Sequence, residues 1–162
     1  MDFQHRAYII EYSSIWIFLP FLIWLWKWVK GVAAPFYTAI FLPITGIASM
    51  LHWNNNHTGD WKHNFDVVSS TTLIILLSYR LIETHRIQLC SLLLSGIIGF
   101  FIIQRYLQIE RVLSWDIITC IHLLFHYFIF LLAMSVHEPN ITYILLITIF
   151  IILHMIWLYS SF

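Results

Sequence analysis

Charge is what this sequence has least of. Only 10% of its 162 residues are Asp, Glu, Lys or Arg, against about 25% in a soluble domain. So low a fraction excludes a disordered segment, a coiled coil and an ordinary cytosolic enzyme. Eight basic residues are balanced by eight acidic ones. There is no basic surplus to neutralise phosphates, which excludes nucleic acid as a partner. Cysteine is scarce too. Cys90 and Cys120 both lie in apolar runs and match neither a zinc spacing nor a disulfide framework. Nor does the start of the chain read as a cleavable signal, because the apolar stretch after residues 1–7 is too long and no small-residue cleavage site follows.

What is present is apolar: 60% of the residues are hydrophobic and mean hydropathy is +0.83. Six runs approach the length needed to cross a hydrocarbon core of ~30 Å at ~1.5 Å per residue. They cover 8–29, 36–53, 65–82, 87–103, 115–136 and 141–160. The predicted fold is therefore an all-α, polytopic integral membrane bundle of about six transmembrane helices, forming one domain over 1–162. The connections 30–35, 54–64, 83–86, 104–114 and 137–140 are too short to hold a soluble domain. Trp24, Trp26, Trp28, Trp53, Trp61, Trp115 and Trp157 cluster at span ends, where interfacial aromatic belts form.

Six spans place both termini on one side, side A. Arg6, Lys62, Arg105 and Arg111 fall there; Lys27, Lys30, Arg80 and Arg86 fall opposite, so the positive-inside rule sets no orientation. Sequons at Asn56 and Asn140 fall on opposite sides, close to spans, and read as chance matches.

Nine histidines stand out in so apolar a chain. An imidazole is costly in hydrocarbon unless it pairs, ligates or faces a polar cavity. His122 and His126 form H-x-x-x-H within the fifth run, on one helix face a turn apart. That spacing is a common way for one helix to offer two ligands to a metal; the competing interpretation is a pair of packed polar residues. Entering from side A near Trp115, the two lie ~10 and ~16 Å deep. His52 near the end of the second run, Asp66 opening the third, Asp116 opening the fifth and His154 in the sixth come within reach of the same side. Thr45, Ser49 and His52 share a helix face, and Ser69, Ser70, Thr71 and Thr72 follow Asp66. Taken singly, these hydroxyls fit ordinary bonding between membrane helices. His57 and His63 are assigned to the 54–64 loop as solvated residues, and His5, His85 and His137 to interfaces without a role.

The span ending Ser49-x-x-His52-Trp53, the Asp66 that opens the next span and the intramembrane His122-x-x-x-His126 resemble the CREST superfamily of alkaline ceramidases, adiponectin/progestin receptors and Per1-type proteins. The resemblance implies zinc bound by His52, His122 and His126. It implies Asp66 as the group that positions or activates water, Ser49 as the hydroxyl partner, and a membrane lipid amide or ester as substrate. The chain departs from the family pattern. Ala48 stands four positions before His52, where the family has its Ser, and another span follows the H-x-x-x-H. Three other interpretations stay open: a histidine-box di-iron hydroxylase or desaturase, haem held between His52 and His122 or His126, and a non-enzymatic receptor, channel or structural protein. An H-x-x-H-H box, which the di-iron class needs, is missing.

Overall fold

A computed structural model describes residues 3–32, 36–55, 61–110, 115–138 and 140–160. Within these, the side chains of 3–7, 54–55, 105, 107–110, 115–116, 118, 155 and 158–159 lie outside the description. All the regular structure among the described residues is helical: α1 (Phe3–Ser13), a 3₁₀ turn (Ser14–Ile17), α2 (Phe18–Val29), α3 (Phe36–Asn55), α4 (Trp61–Glu83), α5 (Ile87–Glu110), α6 (Trp115–His137) and α7 (Ile141–Ser160). The predicted all-α bundle is observed. Five segments are long and apolar enough to cross a membrane: Tyr8–Val29, Phe36–Trp53, Trp61–Glu83, Ile87–Gln104 and Thr119–His137. In α7 the corresponding apolar stretch is shorter, Ile141–His154.

Three details differ from the sequence expectation. The first span is interrupted at Ser14–Ile17 by a 3₁₀ turn. Two causes coincide there. Ser13 Oγ and Ser14 Oγ both bond back to the Ile10 carbonyl, at 2.6 and 3.2 Å, a pattern that bends helices. Pro20 cannot donate to the carbonyl four residues earlier. The second difference is that α4 starts at Trp61, so Lys62 and His63 belong to a helix rather than to the loop. The third is that α5 continues through Gln104 to Glu110 instead of ending in a mixed segment.

Helix ends follow local rules. Gly31, at φ 72°, closes α2 with Val32 N bonded to Lys27 O (3.0 Å) and Gly31 N to Trp28 O (2.9 Å). This is the nested pair of a Schellman cap, which needs a left-handed residue. The turn after α4 repeats it with Arg86 N to Leu81 O (2.8 Å) and His85 N to Ile82 O (3.0 Å), and His85 takes φ 59°. Asn140 caps α7, its side-chain oxygen accepting from Thr142 N at 3.0 Å.

Helix α6 is the axis of the bundle. Ile129, Leu132 and Ala133 pack with Ile17, Leu42, Leu73, Leu77, Leu81, Leu93 and Ile97. Leu123, Phe130 and Met134 pack on another face with Ile9, Trp16 and Ile151. Glycines permit close approach in two places. A Cβ at Gly46 of α3 would run into the Phe18 ring, and one at Gly96 of α5 into Phe128 of α6. Gly96 thus lets α5 and α6 approach closely, whereas Gly99 faces open space.

The C-terminal end of α6 is fastened by two cations. Lys27 Nζ donates to the His137 carbonyl at 2.8 Å and pairs with Glu138 at 3.0 Å. Arg86 donates to the Ser135 carbonyl at 2.9 Å. Free carbonyls at a helix C-terminus favour such partners. With that end fixed, the histidines sit towards the other end of the same helix.

Candidate metal centre

His122 and His126 occupy one face of α6, as their spacing requires, and their Nε2 atoms face each other at 3.1 Å. Which nitrogens carry protons follows from the outer partners. Ser13 Oγ lies 2.6 Å from the Ile10 carbonyl oxygen, which can only accept, so the single hydroxyl proton goes there. Ser13 Oγ therefore accepts the bond it shares with His126 Nδ1 at 2.7 Å. His126 thus carries its proton on Nδ1 and leaves Nε2 bare. Gln104 turns its Oε1 to His122 Nδ1 at 3.0 Å. As the amide is placed, His122 also donates through Nδ1 and leaves Nε2 bare.

Two lone pairs so close together repel unless a cation lies between or beside them. Two nitrogens bound at ~2.05 Å to one tetrahedral zinc stand about 3.3–3.4 Å apart. The observed 3.1 Å is close to that separation. Donation of the other ring N–H to a protein acceptor is also the usual way a metal-binding histidine is held in its tautomer and orientation.

A small cavity of about 30 Å³ lies against this pair, lined by Thr45, Ser49, Asp66 and Ser70 together with Ile17, Phe125 and Ile129. That is room for on the order of one or two waters. Asp66, expected on this side, lines the same cavity as His122 and His126. Ser49 is also there, 3.0 Å from Ser14 Oγ. Thr45 Oγ1 is buried and has no hydrogen-bond partner among the described residues.

His52 is linked to the pair through Trp53. Its ring and the His122 ring both meet the Trp53 indole, at centroid distances of 4.9 and 5.0 Å. Its Nε2 faces His63 Nδ1 at 3.4 Å, and its buried Nδ1 has no partner among the described residues. The donor set suits zinc in kind, with neutral imidazoles, a carboxylate and an orphaned buried nitrogen. Among the described residues, no group of three or more His, Cys, Asp or Glu already stands as a cage for an ion.

Other sequence candidates lie elsewhere. His154 Nδ1 accepts from Trp16 Nε1 at 3.3 Å and the ring stacks on Phe150 and Trp157, which ties α7 to the first span. His57, and the side chain of Asp116, lie outside the described residues. Ser69 and Ser70 bond to the Asp66 carbonyl and Thr72 to that of Val68, so these hydroxyls serve α4 itself rather than a neighbouring helix. The sequence reading missed Ser13, Gln104 and His63. Two adjacent serines in an apolar span were the available signal for Ser13, since polar groups there need partners. Gln104 and His63 carry no comparable mark, because both fall in the connections between apolar runs.

Comparison with protein-family models, with curated proteins and with solved structures gave no match.

Proposed function

We propose that the chain is a multi-pass integral membrane protein that holds zinc through His52, His122 and His126 and hydrolyses an amide or ester of a membrane lipid. On this reading it is a reduced relative of the CREST superfamily. Immersion in lipid is supported by the apolar side chains the helices turn outward, such as Leu22, Ile75, Leu92 and Phe150, each more than half exposed. In water such a surface would be an aggregation liability. The metal site is carried by one observation: the Nε2 atoms of His122 and His126 face each other at 3.1 Å, with Nδ1 of each ring against an oxygen of Gln104 or Ser13.

Zinc, when bound, supplies Lewis acidity and makes nearby water a better acid. The chain's own residues account for the rest. Ser13 and Gln104 hold the two rings in the tautomer that offers Nε2. Asp66 lines the cavity and takes the proton of the water whose oxygen adds to the lipid carbonyl carbon. That proton then passes to the leaving amine or alcohol as the C–N or C–O bond breaks. Ser49 and Thr45 present hydroxyls that orient the carbonyl. A lipid amide or ester sits near headgroup depth, which suits a site ~5–15 Å below side A.

A second reading, a non-enzymatic bundle, is favoured by the pairing of His52 with His63 and by the lack of a ready-made three-group cage among the described residues. The two separate in one experiment. Zinc-loaded protein is reconstituted in vesicles containing a ceramide and a diacyl phospholipid, and fatty acid release is followed by mass spectrometry. The hydrolase reading expects release that falls at least 100-fold in Asp66→Asn. No release above empty vesicles would establish the non-enzymatic reading.

A further inference from the structure

His63 has no part in the zinc reading, yet it touches His52. It lies in the first turn of α4, three residues before Asp66 and on the same helix face. One helix end thus brings Asp66 to the cavity and His63 to His52. The two imidazoles meet with ring centroids 4.8 Å apart and Nδ1 of His63 3.4 Å from Nε2 of His52.

Only one of these two nitrogens can carry the proton. If it sits on His63, neutral His52 must carry its own proton on Nδ1, leaving a buried donor with no partner among the described residues, the costlier arrangement. If it sits on His52 Nε2, then Nδ1 is a bare, buried lone pair. His52 then matches His122 and His126: one nitrogen held by a protein acceptor, the other left for a cation. Ser13, Gln104 and His63 become three equivalent supports, one per ring.

We infer that His63 is a positioning residue of the metal site, accepting the Nε2 proton of His52 so that His52 offers Nδ1, whereas His122 and His126 offer Nε2. This rests on the zinc reading above, and the experiment separates the two failures. Zinc affinity is measured by competition with a chromogenic chelator for the full-length protein in detergent, for His63→Ala and for His63→Gln. Wild type is expected to bind zinc and His63→Ala to bind it 10–100-fold more weakly, the usual loss when such a support is removed. His63→Gln, which keeps an acceptor, restores most of the affinity and keeps the zinc-free melting temperature of wild type, whereas His63→Ala lowers that temperature because the His52 N–H loses its acceptor. Wild type that binds no zinc overturns the metal reading. Wild type that binds while His63→Ala binds equally well overturns the role of His63 alone. Imidazole ¹⁵N spectra of zinc-loaded wild type give a check that needs no variant: a proton retained on His52 Nε2 is expected, and a proton on Nδ1 overturns the inference.

Discussion

The Nε2 atoms of His122 and His126 face each other at 3.1 Å, and Gln104 and Ser13 hold the far side of each ring. The pair is therefore pre-oriented, and its chemistry depends on two residues well removed in sequence from the H-x-x-x-H motif.

Removing either support should weaken metal binding without removing a ligand. Gln104→Leu takes away the acceptor for His122 Nδ1–H and should lower zinc affinity 10–100-fold. Gln104→Glu keeps an acceptor and should bind at least as well as wild type. Ser13→Ala leaves the Nδ1–H of His126 buried and unpaired, which should also cost about 1–3 kcal/mol of stability. Chelator competition and thermal melting read these effects. Unchanged affinity in Gln104→Leu would mean that the amide donates to His122 and that the imidazoles share an ordinary N–H···N bond.

The helix contacts can be tested without reference to function. A Cβ at Gly96 meets the Phe128 ring, so Gly96→Ala should destabilise the bundle by about 1–3 kcal/mol through overpacking. Gly99→Ala is the control. Its Cβ meets nothing, and replacing a helical glycine should stabilise by roughly 0.5–1 kcal/mol. Melting in detergent distinguishes the pair, and equal effects at both positions would contradict the close α5–α6 packing.

His85 occupies a left-handed position that suits glycine, at φ 59°. His85→Gly should therefore raise stability by about 1 kcal/mol, visible as a higher melting temperature with unchanged metal binding. A lower melting temperature would show that the imidazole makes a contact worth more than the strain.

How much of this was legible in the sequence depended on the range of the interaction. The helices and the facing of His122 and His126 follow from periodicity and from apolar length, which are local. The placement of Asp66 beside them was also anticipated, because depth along a span is a one-dimensional quantity. The supports were not legible. Ser13 lies 113 positions from His126 and Gln104 lies 18 from His122, so only packing reveals the pairings. The sequence places Gln104 in the 104–114 connection because the apolar run ends there, yet α5 continues and buries it. His63 was lost for the reciprocal reason, since polar residues at the start of α4 look like a loop until the helix is seen to begin at Trp61.

On the zinc reading, the facing Nε2 atoms of His122 and His126 hold a cation. Zinc content per chain, measured by mass spectrometry on detergent-purified protein after equilibrium dialysis at neutral pH, tests it most directly. About one zinc per chain is expected in wild type and almost none in the His122→Ala/His126→Ala double variant. A wild-type chain without zinc, or a double variant that keeps it, would contradict metal binding by this pair.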